Sequence, residues 1–186
     1  VLATDINQDL IALYRAVQAG WDPPLEISKD EYAALRDGPS CPLRTFAGFG
    51  SSFGGRWFAG YQRGRDKNND KIGYYGLAEA ARNSLKKSVP KVFKFACISF
   101  LDIPAEPKNL VIYCDPPYRG TAGYSAVGAF DHDAFEARVL EWAAAGVPVF
   151  VSEYAFPHGR EVWSAGKANG SACFATRPER LFLVGA

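Results

Sequence analysis

Short, continuous apolar runs alternate along the chain with longer segments in which apolar residues recur at helical spacing. Runs of about four to eight apolar or β-branched residues between turn-forming residues are typical of buried strands. The predicted strands, of which the last two are expected to form an antiparallel pair, are residues 1–4, 92–98, 110–114, 147–151, 171–175 and 181–184.

Polar residues mark where the first two helices begin. Asn7 is placed to accept a hydrogen bond at the start of a helix that Gly20 closes. Ser28, with Glu31 three residues later, predicts a capping box. The helix that this box opens is expected to run to about Arg36.

Two further helices are predicted later in the chain. One spans about 76–88 and is stopped by Pro90, and the other follows Asp131 and ends at Gly146. Strands and helices that alternate with short connections indicate an α/β sheet. We therefore predict an α/β fold in one compact domain.

Residues 45–64 fit neither pattern, because glycines and aromatic residues alternate there without a strand or helix period. Glycine weakens both helices and strands. We predict an ordered functional loop over this segment, and a polar, mobile tip over 66–70.

The net charge of +1 hides an uneven distribution along the chain. The segment from Arg56 to Lys94 holds ten basic and three acidic residues, a balance of +7 that leaves −6 for the remainder. A basic segment on a mildly acidic body is typical of nucleic-acid binding. The pair Lys86-Lys87 alone would indicate only a solvated helix face.

Several features argue against other classes of protein. The four cysteines are far apart, and the only histidines are His132 and His158, so zinc and iron–sulfur sites are not expected. Free thiols fit a reducing cytoplasm. No apolar stretch approaches the roughly 20 residues of a membrane span. Because the chain lacks Met, we interpret it as part of a longer reading frame, or as one whose start has been lost or removed.

The sequence Asp115-Pro116-Pro117-Tyr118 carries the most specific chemistry. It ends the apolar run 110–114, and ligands of open α/β sheets bind at the carboxyl ends of strands. Asp115 and the Pro116 carbonyl can accept hydrogen bonds from an exocyclic amino group, while Tyr118 stacks on a planar ring. The alternative is a plain Pro-Pro turn in which Asp115 is a local acceptor.

Asp5 also stands between a predicted strand and a helix. An acidic residue at this position accepts hydrogen bonds from ribose hydroxyls in many nucleotide sites. A helix-capping role for Asp5 explains the position equally well. Together with Asp115, it suggests an adenosine-bearing cofactor beside an amino-group acceptor.

At these residues the chain resembles the amino-directed DNA methyltransferases, especially the Dam-type DNA adenine methylases of phages and bacteria. The resemblance runs nearly from end to end. The segments that carry it are 5–11, 48–58, 113–118 with Gly120, Thr121 and Tyr124, 149–154, and 179–182.

This resemblance implies a Rossmann-like class I methyltransferase sheet with helices on both faces, and methyl transfer from S-adenosylmethionine. It assigns catalysis to Asp115, Pro116, Pro117 and Tyr118, and no metal. The cofactor-binding residues that it implies are Asp5, Ile6, Ser99 and Phe100. The residues that it places on double-stranded DNA are Arg56, Arg63, Arg65, Lys67 and Tyr124. The implied regions are a partial cofactor-binding region at 1–40, an inserted DNA-contact region at 41–90 and a catalytic region at 91–186.

The chain departs from the family's pattern at two places. The first motif, a strand leading into Phe-x-Gly-x-Gly, normally precedes the Asp5 strand, and the predicted sheet lacks it. Residues 46–50 match the Phe-x-Gly-x-Gly pattern. The motif requires a buried strand before it, however, and residues 41–44 do not form one in the predicted pattern, so we reject the match. An upstream segment or a second chain would have to supply the motif. The second departure is Ser99, where related enzymes place an acidic residue.

The leading hypothesis is a DNA adenine N6-methyltransferase, or a portion of one. A truncated, inactive relative that binds DNA is the first alternative. An amino methyltransferase with another acceptor, such as cytosine N4, RNA or a protein amide, is the second. The basic segment favours nucleic acid over a protein acceptor.

Overall fold

A computed structural model of the protein describes residues 1–62, 77–89, 92–105, 109–120, 128–165 and 178–185. These residues form two compact units, the first within Val1–Ser99 and the second from Phe100 onward. The predicted regions 1–40 and 41–90 both belong to the first unit, and most of 91–186 belongs to the second. That the whole chain acts as one domain stays a prediction.

The first unit contains a two-stranded parallel sheet. Strand β1, Leu2–Asp5, pairs with β2, Lys94–Cys97, so both strands end at the same edge. Helix α1, Gln8–Gln18, connects to this sheet through the Arg15 guanidinium, which donates to the Phe95 carbonyl at 2.6 and 3.1 Å. Both strands and the helix are confirmed.

The helical starts in this unit follow the sequence signals. The Asn7 side chain accepts from the Leu10 amide at 3.1 Å, which caps α1. Helix α2, Lys29–Arg36, opens with the capping box in which Ser28 and Glu31 bond reciprocally. Helix α4, Leu77–Ser88, matches the segment predicted before Pro90.

Helix α3, Pro42–Gly50, shows that the predicted loop over 45–64 was wrong in its first third. Cys41 caps this helix, Pro42 supplies the first-turn residue with a fixed φ, and Phe46 and Ala47 are buried against the other helices. Tertiary packing therefore outweighs the poor helix propensity of the glycines. The residues that match Phe-x-Gly-x-Gly, 46–50, lie inside this helix and do not connect a strand to a helix.

The described part of the segment after α3 is an ordered loop, as predicted. Ser52 lies at its centre: its hydroxyl donates to the Gly48 carbonyl and meets the Tyr32 hydroxyl, each at 2.6 Å. The Phe53 amide donates to the Gly60 carbonyl at 2.9 Å and closes the loop. The polar tip predicted at 66–70 lies outside the described residues.

The second unit is built on a four-stranded mixed sheet in the order β3-β4-β6-β5. Its elements are β3, Ile112–Cys114; α5, His132–Ala144; β4, Val149–Glu153; β5, Arg160–Ser164; and β6, Arg180–Val184. Strand β3 is parallel to β4, whereas β6 is antiparallel to both β4 and β5. Val139, Trp142 and Val149 form the buried core under α5.

Strand β5 was not predicted, and it pairs antiparallel with β6, which covers the strand predicted at 181–184. Residues 171–175 lie outside the described part of the chain. All five residues of β5 are exposed, so no apolar run marks this strand in the sequence.

The described residues therefore form a mixed α/β structure with five α-helices and two small sheets. The α/β class is confirmed, while a single Rossmann-like sheet stays a prediction. Within the described residues no strand joins β1 to β3. None of the helices in the described ranges is long and apolar enough to cross a membrane.

Candidate active site

Asp115 directly follows β3, as the sequence predicts, and the parallel neighbour β4 ends beside it. Cys114 pairs with Val151, so Asp115 and Ser152 are adjacent at the same edge of the sheet. Pro116 is buried and Pro117 and Tyr118 are half-buried, while Asp115 itself is exposed. The motif therefore holds a solvent-facing carboxylate on a packed support.

Three side chains from three different segments meet at this edge. The Tyr118 hydroxyl lies 2.8 Å from the Ser152 hydroxyl and 2.9 Å from Oε1 of Glu179. Ser152 donates to the same Glu179 oxygen at 3.1 Å. The Tyr118 ring also packs edge-to-face on Tyr154, with ring centroids 4.7 Å apart. These contacts fix both the ring and the hydroxyl of Tyr118.

A second carboxylate, Glu153, holds the chain that follows the motif. Glu153 is buried, and it accepts from the Arg119 amide at 3.0 Å and the Tyr154 amide at 2.7 Å. A buried carboxylate needs such donors to offset its lost hydration. The Arg119 side chain turns to α5, where it pairs with Asp133 at 2.9 Å and Glu136 at 2.8 Å.

The electrostatic surroundings make Asp115 a stronger base than an isolated aspartate. Partial burial raises the pKa of Asp115, and the charges of Glu179 and Glu153 raise it further, while a hydrogen bond from Tyr118 acts in the opposite direction. Burial is also the main cause that raises the pKa of Tyr118, so this phenol stays protonated and can donate. The edge offers one acceptor carboxylate and a fixed aromatic ring.

The residues expected to bind the cofactor divide between the two units. Asp5, Ile6 and Ser99 belong to the first unit, where the ends of β1 and β2 coincide and the Ile98 amide donates to the Asp5 carbonyl at 3.2 Å. Phe100 belongs to the second unit and packs against Phe130 and Phe135 in its core.

Asp5 fits either of the roles that its sequence position left open. Its Oδ1 accepts from the Asn7 amide at 2.7 Å, which orders the turn into α1. A carboxylate has about four acceptor sites, so this contact leaves capacity for the hydroxyl groups of a ribose. The free acceptor sites of this carboxylate therefore suit the hydroxyl groups of a nucleoside sugar.

Only part of the expected DNA-contact set lies in the described residues. Arg56 is exposed at the turn after α3. Arg63, Arg65, Lys67 and Tyr124 lie outside the described ranges.

Part of the positive charge in the basic segment is paired with an acidic side chain outside that segment. Arg82 and Lys86 of α4 both pair with Asp22 at 2.6 Å. These two partners lower the pKa of Asp22 to about 2. The two cations therefore present less charge to a polyanion than the sequence count suggests.

Within the described residues no group of histidine, cysteine and acidic side chains could hold a metal ion. Cys41, Cys97 and Cys114 are free thiols. Burial raises the pKa of Cys114 to about 12, so this thiol next to Asp115 stays protonated at neutral pH.

Sequence reasoning gave no role to Ser152, Glu153 or Glu179. A signal for them is present, since Ser152 and Glu153 follow the apolar run 147–151 and Glu179 lies two residues before the run 181–184. The sheet order that brings these ends to Asp115 is not visible in the sequence.

Comparisons with known proteins add no family to this picture. No protein-family model matches the chain. No curated protein matches it in sequence.

Proposed function

We propose that this protein is a DNA methyltransferase that transfers a methyl group from S-adenosylmethionine to N6 of adenine. One observation carries the proposal: Asp115 stands at the end of β3, with Tyr118 fixed beside it by Ser152 and Glu179. This arrangement suits an amino group on a planar base, because it offers acceptors for N–H bonds and a ring for stacking. The resemblance to Dam-type methylases supports adenine in DNA as the acceptor.

The residues of this chain position the acceptor and accept its proton. Asp115 and the Pro116 carbonyl accept the two amino N–H bonds, and this geometry frees the nitrogen lone pair to form the new N–C bond. When bound, S-adenosylmethionine supplies a methyl group on a sulfonium sulfur, which keeps the electron pair of the broken S–C bond. The proton lost by the methylated nitrogen passes to Asp115 and then to water. Tyr118 stacks on the base once it leaves the duplex.

Transfer of labelled methyl groups tests the proposal directly. The protein is incubated with labelled S-adenosylmethionine and unmethylated duplex DNA, and the DNA is then digested to nucleosides. We expect the digest to contain labelled N6-methyl-2′-deoxyadenosine. Asp115→Ala should abolish transfer and leave the affinity for S-adenosylmethionine within about twofold, and near-normal activity of this variant would contradict the assigned role.

A non-catalytic relative that binds DNA is the second candidate. Its support is that β1 and β3 each have one edge without a strand partner among the described residues, and that apolar side chains are exposed there: Leu2 of β1 is 59% exposed, and Val111, directly before β3, is 65% exposed. Apolar strand edges of this kind accept a further strand, and an upstream segment or a second chain that carries the glycine motif would provide one.

Calorimetry with S-adenosylmethionine and its demethylated product separates the two candidates. A competent enzyme binds at micromolar concentration, whereas absence of heat at high micromolar ligand favours the non-catalytic relative. An acceptor other than adenine would show as N4-methylcytosine in the digest, or as transfer to RNA.

A further inference from the structure

We infer that Glu179 and Ser152 are positioning residues, which hold the Tyr118 ring in the plane that receives the acceptor base. This inference rests on the proposed function and adds two residues to the proposed active site. Neither residue contacts the base in this scheme. Both act through the Tyr118 hydroxyl.

The first argument is the geometry of the contact. Tyr118 follows two prolines outside any strand or helix, so no backbone ladder fixes its side chain. Its hydroxyl is instead held at 2.8 Å by Ser152 and at 2.9 Å by Glu179. A phenol held at its oxygen and packed on Tyr154 has a defined ring plane.

The second argument is the balance of donors and acceptors. Three close contacts join Tyr118, Ser152 and Oε1 of Glu179, while the two hydroxyls supply only two protons, and Asp115 also accepts from Tyr118. An ionised Glu179 needs no proton of its own and accepts from either hydroxyl. Glu179 therefore serves the network as an anion, and hydrogen bonds to a charged acceptor are the stronger kind.

The third argument is that the same anion acts on the catalytic carboxylate. The charge of Glu179 is one cause that raises the pKa of Asp115, after burial. A positioning role through Tyr118 is therefore accompanied by an effect on the basicity of Asp115. A residue that only stabilised the fold would not shift the pH dependence of the reaction.

The contact itself is tested without any assay of activity. Urea midpoints are measured for Tyr118→Phe, Glu179→Gln and the double variant. We expect the double variant to shift the midpoint by less than the sum of the two single shifts, because Tyr118→Phe removes the donor of the same bond that Glu179→Gln weakens by removing the acceptor's charge. Additive shifts would overturn the inference.

The positioning role is tested by kinetics on duplex DNA. Glu179→Gln and Ser152→Ala should each raise the KM for DNA about tenfold, which corresponds to roughly 1.4 kcal/mol of lost binding free energy, and should change kcat less. Glu179→Gln should also move the acid limb of the pH–rate profile to lower pH. Tyr118→Phe should raise KM similarly, and adding Glu179→Gln to it should raise KM no further.

Glu161→Gln is the matched control, because Glu161 is an exposed carboxylate on β5 of the same sheet, where it pairs with Arg180 at 3.5 Å. It should leave KM and the acid limb unchanged. If the wild-type protein is active and Glu179→Gln leaves both the KM and the acid limb unchanged, the inference is overturned while the proposed function stands. A wild-type protein that transfers no methyl group overturns the proposed function, and this inference with it.

Discussion

The Asp115 carboxylate lies near two other carboxylates, Glu153 and Glu179, and this sets how its charge depends on pH. Partial desolvation and the two negative charges all raise the pKa of Asp115. A raised pKa means that the folded state disfavours the ionised form. The folded protein therefore loses stability when Asp115 ionises.

Asp115→Asn should make the protein more stable at pH 7. The folded-state pKa lies above the unfolded value of 3.8, so the wild-type protein loses stability as pH rises from that value through the folded pKa. Asparagine carries no charge and avoids this loss. The gain in urea midpoint should be small, because water screens an exposed group, and should shrink as pH falls below 3.8.

The control for this substitution is Asp37→Asn. Asp37 is 78% exposed and pairs only loosely with Arg36, at 3.5 Å. Its substitution should change the midpoint little at either pH. An Asp115→Asn protein that is less stable than wild type at pH 7 would mean that the Asp115 charge is compensated in the folded state.

Cys97 and Cys114 differ in their exposure to water, and this difference predicts different reactivity. Burial raises the pKa of Cys114 to about 12, whereas Cys97 is exposed at the end of β2. Since only the thiolate reacts, iodoacetamide at pH 8 should label Cys97 at least tenfold faster than Cys114. Mass spectrometry of the digested protein measures both sites, and equal labelling would contradict the burial of Cys114.

At the scale of elements, α3 shows how packing creates a helix from an unfavourable sequence. Gly48 is buried in the middle of α3, where the rings of Trp57 and Phe58 lie on its Cα. A Cβ there would be 2.6 Å from Trp57 and 2.7 Å from Phe58. The glycine that weakens the helix locally is what allows the aromatic loop to pack on it.

Gly48→Ala should destabilise the first unit by about 1–3 kcal/mol, the usual cost of overpacking a core. The gain in helix propensity, about 1 kcal/mol, does not offset a contact this short. Urea unfolding measures the difference.

Trp57→Leu provides the comparison, because it removes the ring atoms nearest to Gly48. In this background Gly48→Ala should cost less, while the Phe58 ring at 2.7 Å still opposes the added methyl group. An unchanged or increased stability of Gly48→Ala alone would show that the two rings do not lie on this helix.

The elements that the sequence predicted are those whose signals are local. The Ser28 and Glu31 box and the Asn7 cap lie within three residues of their partners, and the apolar run before Asp115 marks β3 by itself. Helix α3 and strand β5 were missed because distant contacts determine them. The Tyr118 network joins residues 34 and 61 positions apart, so only the sheet order could reveal it.

For the whole molecule, the distribution of charge matters more than its sum. The Arg56–Lys94 segment carries a balance of +7, but Asp22 neutralises part of it by pairing with Arg82 and Lys86 of α4. Arg56 is exposed at the turn after α3. A polyanion that binds α4 would therefore compete with Asp22 for Arg82 and Lys86, whereas Asp22 does not compete for Arg56.

Binding of duplex DNA should weaken steeply with salt, since each phosphate contact releases counterions. A plot of log K against log salt concentration gives the number of contacts, and Arg56→Ala should reduce its slope by about 0.9, the contribution of one contact. Arg36→Ala removes the same charge outside the basic segment and should leave the slope unchanged. Fluorescence anisotropy between about 50 and 200 mM salt measures both. An affinity that is flat over this range would exclude the basic segment as a DNA-binding surface, whatever the chemistry at Asp115.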